Sequence, residues 1–211
     1  MLTAVGEVLR ECYRRGWITT RDGNVSLRMS LEGQISSFMH ITPKGVRKNT
    51  IHPEHIIKLN IDALPANFPV STEFHMHRYI LSDAKTTRCV VHVHPTYTVA
   101  AMYAGIDIVE ASKSFPELKR YTRVGPTVPV CEAGSIQLAE FTNKNLRRGS
   151  NVHPQSSNQI MESWQEIAYD IVGQENHGVC SVGKDPWDAF EHVERLEHIC
   201  KILLQANAGT K

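Results

Sequence analysis

The sequence predicts an α/β domain built around a mainly antiparallel sheet. Short apolar runs with a period of two are typical of strands, and stretches with apolar residues every three or four positions are typical of helices. The helices flank short strands that are mostly connected as hairpins, so a doubly wound parallel sheet is not expected. With 211 residues the chain is long enough for a full core, and we expect a single domain over residues 1–211.

Helix-like and strand-like segments alternate along the first half of the chain. The segment VGEVLRECYRRGW carries apolar residues on one helical stripe and lacks the long apolar centre of a signal peptide. Two strands follow, in NVSLRMS and in FMHI, and Pro43 ends the second. The segment STEFHMHRYILSD predicts a helix with Ser71 as its N-cap, and CVVHV predicts another strand.

The second half of the chain contains the clearest helix. It covers DPWDAFEHVERLEHICKILLQA, where Asp185 is the expected cap and Pro186 suits the first turn. Two further helices are predicted in PTYTVAAMYAG and GSIQLAEFTNKNL, and a strand hairpin is predicted around ENHG. Residues 147–159 read as a loop.

Composition excludes several classes of partner. Lys and Arg number 23 against 22 Asp and Glu, and this balance favours neither nucleic acid nor an anionic membrane surface as partner. Apolar runs stay far below the roughly 18 residues that a membrane span needs. The five cysteines are odd in number and irregularly spaced, which argues against a disulfide framework and for a reducing cytoplasm.

A pair of histidines interrupts the apolar strand CVVHVHP. Because side chains alternate across a strand, His92 and His94 share one face, close enough to bind one cation, while Val91 and Val93 point to the other. Imidazole is a good zinc ligand, and a catalytic zinc site usually has three protein ligands and an open position. The alternative is two unrelated histidines on a half-exposed strand.

His177 is the best candidate for a third ligand. It lies in ENHGV, where Gly178 permits a tight turn and a close approach of the backbone. His75 and His77 also have a spacing of two, but within a predicted helix such positions face apart, and His77 is expected to stack one turn after Glu73. The remaining candidates are expected on the solvated surface: His52, His55, His153, His192 and His198.

Glu73 is expected in the first turn of its helix, where the helix dipole favours a carboxylate. One interpretation is a simple capping carboxylate. The other is a general base, or a fourth metal ligand in the absence of substrate, if this end of the helix faces the metal.

Three short segments predict an anion-binding cradle. GNVS offers an amide side chain, TPKG offers an ammonium group and a free N–H, and STE places two hydroxyls at a helix N-terminus. Each could instead form an ordinary turn or cap. Neither G-x-x-x-x-G-K-[ST] nor G-x-G-x-x-G is present, so the sequence does not support ATP or dinucleotide binding. The cradle residues are Asn24, Lys44, Gly45, Ser71 and Thr72.

From about residue 5 to 205, the chain resembles the class II aldolase/adducin family in the order and rough spacing of five segments. These segments are GNVSLR, ITPKG, STE, HVHP and NHG. The resemblance implies a three-layer αβα sandwich with a mainly antiparallel central sheet. It also implies a homotetramer with active sites at the subunit interfaces and a role in carbohydrate metabolism.

The resemblance further implies a zinc-dependent aldolase, a carbon–carbon lyase, acting on a phosphorylated sugar or sugar acid through a metal-stabilised ene-diolate. One zinc (Zn2+) per subunit would be bound by His92, His94 and His177, although three imidazoles also accept Mn2+ or Co2+. Glu73 would be the acid/base residue. The phosphate site would be lined by Asn24, Lys44, Gly45, Ser71 and Thr72.

Two departures from the family pattern keep other reactions open. Lys44 stands where the family often has a hydroxyl residue, and with Arg47 and Lys48 following, it would suit a substrate with extra negative charge. The tyrosine that aldolases of the family place downstream of the second histidine is missing from EASKSFPEL, where Lys113 and Glu117 are the accessory candidates. An epimerase, dehydratase or decarboxylase is therefore the alternative.

A non-catalytic adducin-like binding domain is the remaining alternative, but such domains lack the histidine ligands. Residues 147–159 resemble an insertion relative to compact members of the family, which would shape a rim or a subunit contact.

Overall fold

Within the part of the chain that the structure describes, seven strands form one sheet. A computed structural model describes residues 1–31, 34–62, 69–83, 87–147 and 167–208, without the side chains of residues 30–37 and 83. Within these ranges the helices are α1 (Leu2–Arg14), α2 (Phe74–Asp83), α3 (Thr96–Tyr103), α4 (Ile108–Ser114), α5 (Pro116–Tyr121), α6 (Ile136–Asn145) and α7 (Pro186–Ala208). The strands are β1 (Asn24–Leu31), β2 (Gln34–Ile41), β3 (Ile57–Asn60), β4 (Cys89–Val93), β5 (Val124–Val128), β6 (Ile171–Gln174) and β7 (Gly178–Gly183).

The strand order is β3-β2-β1-β4-β7-β6-β5, so β4 is the central strand. Every pair of neighbours is antiparallel except β5 and β6, which run parallel. A parallel pair needs a long crossover, and the chain between β5 and β6 includes α6. The predicted mainly antiparallel sheet is confirmed, with this one parallel pair that local sequence patterns did not indicate.

Both faces of the sheet are covered by helices. Val91 and Val93 of β4 belong to an apolar core shared with α1 and α7, whereas Val90 belongs to a second core shared with α2 and α6. All five residues of β4 are buried, as expected for a strand packed on both faces. The chain therefore has the predicted three-layer αβα arrangement.

The predicted cap of the last helix is confirmed. Asp185 accepts hydrogen bonds from the N–H groups of Trp187 at 3.0 Å and Asp188 at 2.9 Å, which fixes the start of α7 at Pro186. Within the described ranges, none of the helices combines the length and apolar character that crossing a membrane requires.

The predicted start of α2 is wrong by two residues, since a helix capped by Ser71 would begin at Thr72. Ser71 opens a separate turn, in which its carbonyl oxygen accepts from the N–H of Phe74 at 3.1 Å and its Oγ accepts from the N–H of Glu73 at 3.3 Å. Since α2 begins at Phe74, Ser71 is not its N-cap, and Glu73 precedes the helix instead of lying in its first turn.

The surface assignment of His192 is also wrong. The residue lies on the buried side of α7, and its Nδ1 is 2.9 Å from the hydroxyl of Thr122, which supplies a polar partner inside the core. His52, His55 and His198 are exposed as predicted. His153 lies outside the described residues, as does the segment 147–159 apart from Arg147.

Candidate metal centre

Three histidines from two regions of the sequence meet at one end of the central strands. His92 lies in β4, His94 follows the end of that strand, and His177 lies in the turn between β6 and β7. The ring centroids are 5.0 Å apart for His92 and His94, 4.8 Å for His92 and His177, and 5.1 Å for His94 and His177. One nitrogen of each ring lies within 4.8 Å of the others.

Gly178 allows the turn that carries His177 to approach β4. A Cβ at this position would lie 2.5 Å from the carbonyl oxygen of Val93 and 2.7 Å from the ring of His94. Any larger residue would push the two strands apart, because real Cβ atoms do not come that near to a backbone oxygen. The glycine singled out in the sequence is therefore required by a close approach of the chain.

The polar contacts of the rings fit a divalent metal ion. Nδ1 of His92 donates to the carbonyl oxygen of Val179 at 3.0 Å, which leaves a lone pair on Nε2. That Nε2 lies 3.2 Å from Nε2 of His94, and Nδ1 of His177 is buried without a hydrogen-bond partner. Ring nitrogens collected in this way are suited to sharing one cation.

The electrostatics keep these rings uncharged. Burial lowers the pKa of His92 well below its usual range, with the neighbouring His94 and His177 adding to the effect. Burial also lowers the pKa of His94, and it lowers the pKa of His177 to about 4. The three side chains are therefore in the neutral form that binds metal at physiological pH.

Glu73 enters the same cavity from the turn before α2. Its side chain is buried, and its Oε1 accepts a hydrogen bond of 2.9 Å from the backbone N–H of Gly134. Burial raises the pKa of this carboxyl group, and the hydrogen bond from Gly134 opposes the shift. A carboxyl group with a raised pKa is suited to taking up and returning a proton.

All five residues of the predicted anion cradle line this cavity, which has a volume of about 190 Å³. Asn24 is buried, whereas Lys44 and Gly45 are exposed at its edge. Its other walls include Glu73 and the three histidines, so the predicted metal ligands, acid/base residue and anion donors share one space. The cradle residues are Asn24, Lys44, Gly45, Ser71 and Thr72.

Sequence reasoning named Lys48 for its charge but did not anticipate its burial, nor two other features of this cavity. Lys48 is only 2 % exposed, and its Nζ donates to the carbonyl oxygens of Val46 at 3.0 Å and Arg21 at 3.3 Å. The backbone N–H of Gly134, a residue distant in the sequence, donates a hydrogen bond to Glu73. His77, expected only to stack behind Glu73, is fully buried. Of these three features, only the positive charge of Lys48 could be recognised from the sequence.

The accessory candidates lie away from the cavity. Lys113 is exposed on α4, where its Nζ forms an ion pair of 2.7 Å with Glu110. Glu117, near the start of α5, lines a different and larger groove beside Trp17 and Tyr97. Neither side chain lines the cavity formed by its own chain.

These features agree with the comparisons to known proteins. Residues 3–204 match the family described as Class II Aldolase and Adducin N-terminal domain, and the chain belongs to that family.

Curated relatives and solved structures agree with this assignment. The chain is 25% identical over 198 residues to an L-fuculose phosphate aldolase from Methanocaldococcus jannaschii, covering 94% of this chain and 92% of the relative. It is 26% identical over 196 residues to a 3-oxo-tetronate 4-phosphate decarboxylase from Pectobacterium atrosepticum, covering 90% of this chain and 78% of the relative. The crystal structure of L-fuculose-1-phosphate aldolase from Thermus thermophilus is similar in fold, with a TM-score of 0.75 at 20% identity, covering 100% of this chain and 97% of that chain.

Proposed function

We propose that this protein is a zinc-dependent aldolase that cleaves a carbon–carbon bond in a phosphorylated sugar or sugar acid. The observation that supports it best is one small cavity containing three uncharged histidines, a buried carboxyl group and several anion donors. The names of the two relatives support a sugar phosphate as substrate. A bound zinc ion would polarise the oxygens of the substrate and stabilise negative charge that develops on them.

The residues of the chain would divide the remaining tasks. Asn24, Ser71 and Thr72 would donate to the phosphate and so orient the sugar above the histidines. As the carbon–carbon bond breaks, the hydroxyl of the departing fragment would lose its proton to solvent and become a carbonyl, and Glu73, held by Gly134, would deliver a proton to the carbon that gains the electron pair.

Decarboxylation is the second candidate reaction. Lys44 and Lys48 both line the cavity, which favours a ligand with more negative charge than a ketose phosphate. The decarboxylase from Pectobacterium atrosepticum is a relative whose named substrate is a phosphorylated acid. A non-catalytic binding role, which the adducin part of the family name allows, has less support because the histidines and Glu73 are all present.

A panel of sugar phosphates and sugar acids, with products followed by mass spectrometry, tests the proposal. Cleavage into two smaller carbonyl compounds supports the aldolase, whereas loss of carbon dioxide or water identifies a decarboxylase or a dehydratase. Unchanged mass with a changed configuration identifies an epimerase. A complete lack of turnover across the panel by zinc-loaded protein would contradict the proposal.

Substitution of Lys44 tests anion recognition separately from catalysis. Lys44→Ala should weaken binding of a phosphorylated ligand more than that of its unphosphorylated counterpart, because only the former loses an ionic contact. Lys119→Ala, which removes an exposed lysine from α5, is the matched control. Equal losses for both ligands would assign Lys44 to another role.

We also propose a homotetramer, in which Glu117 of one subunit acts at the cavity of a neighbour. The proposal is supported by the family resemblance and by the position of Glu117 in a groove other than its own cavity. Mixed oligomers of Glu73→Gln and Glu117→Ala subunits should regain part of the activity that each variant lacks. Failure of mixing to restore activity, in oligomers shown to contain both subunits, would contradict the shared site.

A further inference from the structure

His77 connects α2 to β1 next to the cavity. Its side chain is completely buried, and both ring nitrogens have partners. Nδ1 lies 2.7 Å from the hydroxyl of Ser26, and Nε2 is hydrogen-bonded to Oδ1 of Asn24. The ring lies one helical turn beyond Glu73, so the helix that follows the acid/base candidate also contacts a residue of the anion cradle.

Asn24 is the residue of β1 that lies beside the histidine cluster. The antiparallel register pairs it with His92 on β4, and its side chain lines the cavity. Because His77 occupies Oδ1, the group that remains on the amide is Nδ2 with its two hydrogens. Within the described part of the chain, Nδ2 makes no hydrogen bond and can donate to a ligand.

The position of the hydrogen on the His77 ring and the orientation of the Asn24 amide depend on each other. Burial lowers the pKa of His77 to about 3, so the ring is neutral and carries a single N–H. An amide oxygen can only accept, so the hydrogen belongs on Nε2, and Nδ1 then accepts from the hydroxyl of Ser26. The reverse arrangement would turn the oxygen of Asn24 into the cavity, where it would repel an anion.

We propose that His77 is a positioning residue, whose Nε2–H holds the amide of Asn24 with its NH2 group directed into the cavity to bind an anionic group of the ligand. The inference rests on the proposed function, since the anion is the phosphate of that substrate. His77 does not touch the ligand in this account. With the hydrogen on Nε2, the hydroxyl of Ser26 donates to the bare Nδ1 of the ring.

The tautomer can be measured in the intact, metal-loaded protein. Nitrogen-15 NMR of the imidazole rings, with the His77 signals assigned by their loss in His77→Gln, should show hydrogen on Nε2 and a bare Nδ1 at pH 7. Hydrogen on Nδ1 would overturn the proposal, because the amide of Asn24 would then face the other way.

A double-mutant cycle with inorganic phosphate tests the connection between the two residues. Asn24→Ala should weaken phosphate binding to the metal-loaded protein by about 10-fold, as expected for a lost hydrogen bond to a charged group. His77→Leu should weaken it to a similar extent, yet cause no further loss in the Asn24→Ala background. His77→Gln should recover most of the affinity, because its amide can still donate to Oδ1 of Asn24.

A histidine elsewhere in the core provides the matched control. His192 is also buried and bonded to a hydroxyl, that of Thr122, but it lies outside the cavity. His192→Gln should leave phosphate affinity and metal content unchanged. If His77→Leu fails to fold, His77→Gln and the tautomer measurement still decide the matter.

Two outcomes separate this inference from the proposed function. If the wild-type protein binds phosphate but the losses of the two single variants add up in the double variant, the role of His77 is overturned and the proposed function is not. Wild-type protein that binds zinc but no phosphate at millimolar concentration would overturn the anion cavity, and the inference with it.

Discussion

Gly134 donates its backbone N–H to Oε1 of Glu73 at 2.9 Å, although the two residues lie far apart in the sequence. The backbone at Gly134 has φ of +76°, and a Cβ there would lie 3.1 Å from the carbonyl oxygen of Thr72. Only glycine adopts this conformation without strain and fits against the turn that carries Glu73. The loop before α6 therefore fixes the carboxyl group by a main-chain contact.

Substituting this glycine should impair turnover while leaving the metal in place. Gly134→Ala costs about 1 kcal/mol from the left-handed backbone alone and pushes the loop away from Thr72. We expect turnover to fall by about 10-fold to 100-fold, because the carboxyl group loses its position. Steady-state kinetics and metal analysis of the same preparation measure both effects.

Gly105 provides the matched control for that variant. It has the same φ of +76°, but a Cβ there would meet nothing within 4 Å. Gly105→Ala should therefore show a similar loss of stability with wild-type turnover. Equal turnover in the two variants would contradict the role assigned to the contact between Gly134 and Glu73.

Glu73→Gln should separate catalysis from stability. We expect the variant to keep its metal and to lose turnover by orders of magnitude, since an amide cannot carry the proton. Because the pKa of Glu73 is raised in the folded protein, wild-type stability falls as pH rises through that value. The metal-free variant should therefore be more stable than wild type at pH 7.

Urea unfolding at several pH values measures this difference. The advantage of Glu73→Gln should shrink as the pH falls, and disappear below the ordinary value of 4.5, where the carboxyl group is protonated in both states. An advantage that stays constant with pH would show that ionisation of Glu73 does not cause it.

Metal binding should release few protons. Since burial lowers the pKa values of all three histidines, that of His177 to about 4, the metal-free site holds fewer protons at pH 6 than three ordinary imidazoles would. Three histidines with ordinary pKa values would release about two protons at that pH. Zinc titration calorimetry at pH 6, in two buffers of different ionisation enthalpy, should give well under one proton, and a value near two would contradict the expectation.

Glu197 should stabilise the segment that follows His94. This buried carboxylate on α7 accepts from the N–H groups of Tyr97 at 2.9 Å and Thr98 at 2.7 Å, and so caps α3 from a distant helix. Glu197→Ala should lower the free energy of unfolding by about 2 kcal/mol. A change within about 0.5 kcal/mol in urea unfolding would contradict this role.

An ordinary cap provides the comparison for Glu197. Ser135 caps α6 locally, accepting from the N–H of Leu138 at 3.1 Å. Ser135→Ala should cost about 1 kcal/mol, less than Glu197→Ala, because it removes a single neutral hydrogen bond.

The sequence predicted the parts of the site that depend on local periodicity. Alternation along β4 and the residue after it predicted that His92 and His94 share one face, and Gly178 marked the turn that brings His177 to them. Side-chain direction in a strand follows from the backbone, so residue spacing alone was sufficient.

The contacts that sequence reasoning missed join distant segments. The donation from Gly134 to Glu73 and the bond from His77 to Asn24 depend on how α2 packs against the sheet and on where the loop before α6 passes. The buried place of His192 likewise depends on Thr122, from another element. No periodic pattern encodes such pairs, since tertiary packing decides them.

The metal content of protein purified without chelator tests the central claim most directly. Wild type and the exposed-site control His198→Ala should each contain about one zinc per subunit, as a three-histidine site predicts. The double variant His92→Ala/His94→Ala should contain essentially none, since two of the three ligands of the cluster are removed. Full retention of metal by the double variant, or a folded wild type that binds no divalent metal, would contradict the account.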